Sequence, residues 1–278
     1  MVRLALFSLG CFATFSLVTF AEEITVQPAV TPSKYYSHAF DVMGPVSLET
    51  FECFRKTGYN TTFIRAYKRD KLTGSTDPDL VSNIRNAHAA KLGVETYIVP
   101  QPESLLSGEK VVDEITDVLS TNGITLLRVW IKVTSPNCWP NNHVKNRNLI
   151  TDMARKAKAS SIWVGIYTNW YDWEQIMGDW EMKDAQLWYW KMNGKGMNSS
   201  SKANFDDFFS FGGFDWPLGK TYAGDVKVCG INADVGIYPK VVEKPKNMSD
   251  NDKLEQFSSA IVEMLDESEE RASTDTEN

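Results

Sequence analysis

The chain has 278 residues, with 29 Lys and Arg against 36 Asp and Glu, a formal net charge of −7. That balance excludes a general nucleic-acid binder, which needs a basic face, and the length suits one large barrel or two small domains. Most of the charge is local: from Ser249 to Asn278 there are ten acids and two bases, so the remainder is close to neutral.

Residues 1–21 read as a secretory leader. Arg3 supplies a positive start, an apolar run follows from Leu4 to Phe20, and Thr19-Phe20-Ala21 offers small residues for cleavage. The run falls short of the roughly 20 apolar residues that a membrane span needs, and no later stretch approaches it. Residues 22–34 follow as a linker, and the expected location is extracellular, with no membrane attachment once the leader is removed.

Strands and helices then alternate. Residues 35–43 predict a strand and 47–57 a helix; 60–67 a strand and 79–91 a helix; 94–99 a strand stopped by Pro100, and 109–119 a helix with Val112, Ile115 and Leu119 on one face. Residues 125–133 form an apolar, β-branched strand ended by Ser135-Pro136-Asn137. A basic helix over 144–158, a strand over 161–167, a short helical turn over 170–177 and a strand over 186–190 come next. The pattern then turns irregular, and two short strands near 221–227 and 230–235 close the set. Alternation of this kind argues for a mostly parallel sheet. Eight strands in one domain over 35–239 suit a closed, irregular TIM-like α/β barrel better than an open sheet. From 240 to 278 the composition changes to an acidic tail. Leu254, Phe257, Ile261 and Leu265 share one helical face there, and acids follow from Asp266 to Glu270.

Three sequons fit the secretory reading and make Asn60, Asn198 and Asn247 candidate glycosylation sites, although Asn60 falls within a predicted strand. Outside the leader there are three cysteines, Cys53, Cys138 and Cys229. An odd count in an oxidising compartment allows one disulfide among three possible pairings. The histidines at 38, 88 and 143 show no ligand spacing, so neither a metal site nor a cofactor is expected.

Chemistry in such barrels gathers at the carboxyl ends of the strands. The first strand places Asp41 there, and the last carries Asp234. In a closed barrel these strands are neighbours, so the two carboxylates meet across one seam. Lys132 and Thr134 stand two apart on the fourth strand and therefore share a face. All nine tryptophans lie between Trp130 and Trp216. Flat rings suit the C–H faces of sugars and their polar edges suit hydroxyls. Tyr97, Tyr167, Trp170 and Trp190 are candidate substrate-binding residues, whereas Trp130, Trp163 and Trp188 read as core.

Seven segments then carry a resemblance: SHAFDVM, ETFECFRKTGYNTTFIRAY, VWIKVTSPNCW, VGIYTNWYDWEQIMGDW, QLWYWKMNGKG, ANFDDFFSFGGFDWPLGKTYAG and VCGINADVGIY. In this order, across residues 35–239, the chain resembles the secreted lysozymes of glycoside hydrolase family 25, in particular their nematode branch. The resemblance implies an irregular α/β barrel and hydrolysis of the β-1,4 bond between N-acetylmuramic acid and N-acetylglucosamine. It implies peptidoglycan, or a related N-acetylated glycan, as the partner, and a role in innate immunity or the gut lumen. In active members the fourth strand ends in Asp-x-Glu. The Glu is the general acid, and the Asp positions the substrate's own acetamido group as nucleophile. Here Lys132 occupies the Asp position and Thr134 the Glu position, while Asp41 and Asp234 match the family's outer carboxylates.

Those replacements set the functional expectation. Glycoside hydrolysis needs a proton donor and something to offset oxocarbenium charge. A threonine hydroxyl does not give up its proton near neutral pH, and an ammonium repels the developing cation. The expectation is a secreted, catalytically impaired, glycan-binding pseudoenzyme in which Lys132 pairs with Asp41 and Asp234 and keeps both ionised. The rivals are a weak muramidase or related glycosidase, with Asp172, Glu174, Asp179 or Glu181 as a relocated acid, and an interaction protein that works through its acidic tail.

Overall fold

A computed structural model of the chain describes residues 36–70 and 73–239. The leader, the linker, the segment from 240 onward and the sequon at Asn247 lie outside those residues.

Strand β1 (Tyr36–Val42) leads to helix α1 (Leu48–Lys56) and β2 (Tyr59–Lys68). A two-residue strand β3 (Ser75–Thr76), absent from the sequence reading, precedes α2 (Leu80–Ala89), β4 (Gly93–Ile98) and α3 (Gly108–Thr121). Then follow β5 (Arg128–Lys132), α4 (His143–Ala159), β6 (Trp163–Thr168), α5 (Trp170–Met177), β7 (Gln186–Trp190), β8 (Pro217–Val228) and β9 (Ile231–Pro239). Local chemistry sets the helix starts. Ser47, Ser107, Asn142 and Asn169 each accept a hydrogen bond from a first-turn amide, a cap worth about 1 kcal/mol.

The sheet runs β1-β9-β8-β7-β6-β5-β4-β2 and closes through β1–β2, with β3 added at the side of β2. The result is a closed eight-stranded α/β barrel. All pairings from β1 through β2 and β4 to β8 are parallel; β9 runs antiparallel to both β8 and β1. The last two strands are longer than expected, 12 and 9 residues. A bulge explains why the pattern hid this: the register shifts between Ala223 and Val226, and Asp225 takes a left-handed conformation at φ 55°.

Side chains alternate between two cores. Phe40, Ile64, Ile98, Ile131, Ile166 and Ile237 point outward beneath the helices. Phe63, Tyr97, Trp130, Tyr167, Trp188 and Tyr238 fill the bore. Gly165 makes room there, because a Cβ at this position would overlap the Trp130 ring. Phe63 stacks on Trp188 at 3.9 Å between ring centres. Trp130 and Trp188 are thus buried, but Trp163 is 49% exposed, which corrects its reading as core. Helix α5 has only eight residues, and along β6 only the first residue, Trp163, is exposed.

Of the three possible cysteine pairings, Cys53–Cys229 is formed, with Cα atoms 5.8 Å apart, and Cys138 is free and exposed. It ties α1 to the β8–β9 turn. Asn60 lies in β2 and accepts a hydrogen bond from Arg55; Asn198 is exposed on a 3₁₀ turn.

Candidate functional site

The carboxyl ends of the parallel strands form the barrel mouth. Strand β1 brings Asp41 there on its inward face, directly opposite Asp234 in the β1–β9 register. Strand β5 brings Lys132 to the same level, paired with Tyr167 of β6. The Lys132 ammonium forms an ion pair with Asp41. It also lies over three rings, 4.1 Å from the centre of Tyr97, 4.6 Å from Tyr167 and 5.2 Å from Trp188. Carboxylate above and aromatic faces below both attract a cation. Burial, reinforced by Asp41, pushes both tyrosine hydroxyls well above their ordinary pKa, so the rings stay neutral.

Asp234 differs from the expectation. Its Oδ1 accepts the Asp225 amide at 2.8 Å, an N–H aimed inward by the β8 bulge. Burial and the nearby Asp41 carboxylate push its pKa up to about 6, against the opposing pull of Lys132. Lys132 therefore pairs with Asp41 and does not keep Asp234 ionised through the acid range. Beneath this level the bore is filled by side chains.

Tyr97 and Tyr167 are 0% and 4% exposed. They form the floor beneath Lys132, which corrects their reading as groove residues. Tyr97 also donates its hydroxyl to the Val42 carbonyl at 3.2 Å. Trp170 is 45% exposed, beside Phe209 with ring centres 5.9 Å apart, and stays on the surface. Trp190 is half-buried at the end of β7. Its indole N–H is buried with no hydrogen-bond partner of normal geometry among the described residues.

Thr134 has a partner that strand periodicity does not reveal. Its hydroxyl donates to the carboxylate of Asp172, as does the Ser135 amide at 3.4 Å. Asp172 sits in the first turn of α5, its own amide held by the Asn169 cap at 2.8 Å. It is 4% exposed. Burial raises its pKa, against the bonds from Thr134 and Ser135 and the weaker approach of the Trp190 indole. A carboxyl from β6–α5 therefore reaches the side of the β5 position that lacks one. Sequence reading counted Asp172 among four loop acids without separating it from the others; the signal that separates it is Asn169, a helix cap directly after a strand. Glu174, Asp179 and Glu181 are all exposed.

A closed α/β barrel with acids and aromatic rings at its mouth defines a protein of the lysozyme-type glycoside hydrolase class. Comparison with known proteins is specific. The family model for Lysozyme-like protein 1 matches residues 32–222. Lysozyme-like protein 7 of Caenorhabditis elegans is 39% identical over 225 residues, covering 80% of this chain and 79% of the relative. A probable GH family 25 lysozyme of Dictyostelium discoideum is 31% identical, covering 72% of this chain and 89% of the relative. A family GH25 lysozyme from Aspergillus fumigatus shares the fold at a TM-score of 0.56 with 17% identity, over 80% of this chain and 98% of that one. The chain belongs to the lysozyme-like proteins of glycoside hydrolase family 25, in the group represented in nematodes.

Proposed function

We propose that this chain is a secreted lysozyme-like protein that binds bacterial cell-wall glycan and is impaired in cutting it. The observation that carries this reading is the Lys132 ammonium, paired with Asp41 over Tyr97, Tyr167 and Trp188. It stands where positive charge develops during glycoside cleavage. Two like charges about 4 Å apart at an effective dielectric of about 20 repel by about 4 kcal/mol. The side that would supply a proton offers only the Thr134 hydroxyl directly. Binding needs neither acid. Exposed Trp170 offers a face for a sugar ring. Relatives named as lysozymes make peptidoglycan, or another N-acetylated glycan, the reasonable ligand. Secretion through residues 1–21, glycan at Asn198 and a role in innate immunity belong to the same proposal, as does reading the barrel as an irregular TIM-like one.

Parallel assays on one preparation test it: pull-down with purified peptidoglycan, and release of soluble muropeptides. Binding without release is expected, and Trp170→Ala weakens retention about tenfold, the loss of a stacked ring. Sustained release by the unaltered protein overturns the impairment.

One observation favours a second reading, a slow muramidase. In this reading Asp172, buried, raised in pKa and joined to Thr134, gives its proton to the glycosidic oxygen as the C1–O bond breaks. The substrate's acetamido oxygen would form the new bond to C1, and water would later open the ring so formed. Asp172→Asn then abolishes release while leaving retention unchanged. If release survives that change, Asp172 is not the donor.

A further inference from the structure

On the outside of the barrel, far from the mouth, a groove of about 1150 Å³ lies between α4 and the amino ends of β6 and β7. Its floor is apolar, built from Ala154, Ile162, Trp163, Val164, Trp180 and Met182. The chain between α5 and β7, at residues 180–185, forms its other wall. The groove exceeds the roughly 300–1,000 Å³ of a small-molecule pocket, and its length along a helix suits another helix.

We propose that the acidic segment beginning at Ser249 lays its apolar face, formed by Leu254, Phe257, Ile261 and Leu265, into this groove of the same chain. Three observations converge. The first is position: β9 is antiparallel, so Pro239 pairs with Tyr36 and the chain leaves the barrel at the end opposite the mouth. The groove opens at that same end, at Ser161–Val164 and Ala185–Gln186. The second is reach. From β9 to β6 is three strand spacings, about 14 Å, plus about 10 Å out to the helix layer. Residues 240–248 span up to about 30 Å when extended. The third is charge. The groove is lined by Arg155, Lys158 and Lys183 against Glu181 and Asp184, a net of one positive charge, with the two lysines paired to those two acids. The segment from Ser249 carries ten acids and two bases. Apolar residues at 254, 257, 261 and 265 fall on one helical face, the pattern of a helix seated in a groove. Tethering holds the segment at millimolar effective concentration, so a modest contact suffices.

The test uses the full mature chain, with Leu254→Asp, Phe257→Asp and Ile261→Asp combined as the comparison. Hydroxyl-radical footprinting reads the side chains of Trp163, Trp180 and Met182, and the barrel's own integrity is checked by its near-ultraviolet circular dichroism. The expected result is at least threefold slower labelling of all three side chains in the unaltered chain, lost in the triple variant. Trp163→Glu, made in the full chain, should speed proteolysis within 240–278 by a similar factor. Equal labelling in the two proteins overturns the proposal. So does protection that disappears on dilution, which would assign the groove to a second copy.

Discussion

Replacing Lys132 with methionine removes the ammonium at the mouth and keeps most of the apolar stem. Asp41 is 7% exposed and would lose its ion-pair partner while facing Asp234 in register. Removing one member of a buried pair costs about 3–5 kcal/mol, and the lost contact with the rings beneath adds up to about 2 kcal/mol where desolvated. The cost depends on pH in a defined direction. Without Lys132, Asp234 loses the attraction that opposes its raised pKa, so its folded value stands further above the unfolded one. The penalty is then complete above the folded values and vanishes below about pH 4. Urea unfolding with the disulfide intact reads it. At a slope of about 3 kcal/mol/M, the midpoint at pH 7.5 falls by more than about 1 M, with a smaller shift at pH 5. Adding Asp41→Asn to Lys132→Met should restore most of the loss, giving a coupling of about 2 kcal/mol or more. A loss below about 1 kcal/mol, the scale of an exposed surface pair, would refute the buried-pair reasoning. So would a loss independent of pH.

Further outcomes are expected. Asp234 is raised from 3.8 to about 6, so the folded state binds its proton more tightly and stability declines as pH rises through that window. Asp234→Asn should therefore add up to about 3 kcal/mol at pH 8 and nothing at pH 3, measured by thermal unfolding across pH. Cys53 and Cys229 are 176 residues apart, and chain entropy assigns closure of such a loop about 5 kcal/mol. Cys53→Ser with Cys229→Ser should lose about 2–5 kcal/mol, and an unchanged melting temperature on reduction would contradict this. Gly165→Ala forces a methyl into the Trp130 ring and should cost at least about 1–3 kcal/mol, with altered near-ultraviolet dichroism from the bore. An unaltered spectrum would show that the bore yields.

The barrel was legible because its signals are local. Period-two runs bounded by Pro and Gly marked the parallel strands, and the same period put Lys132 and Thr134 on one face before any coordinates. Adjacency of first and last strands followed from closure, which brought Asp41 to Asp234. What sequence could not supply depends on distance in space. Asp172 reaches Thr134 only through the turn between β6 and α5. Lys220, fully buried, was missed altogether: its ammonium donates to Asp207 at 2.7 Å and to the carbonyls of Lys202 and Asn204, both at 2.9 Å. That one side chain anchors the irregular stretch before β8, and a lone Lys inside a strand pattern carries no mark of it. The exposure of Trp163 likewise belongs to its place at the first residue of β6, and the hidden length of β8 follows from a bulge that interrupts alternation.

Because the final strand is reversed, the barrel's first and last residues, Tyr36 and Pro239, are register partners on the face away from the mouth. A molecule grafted to a bead or sensor chip through either end of this domain would present the barrel mouth outward, free of the support. Orientation on a solid phase is thus built into the strand order and needs no engineered handle elsewhere on the surface.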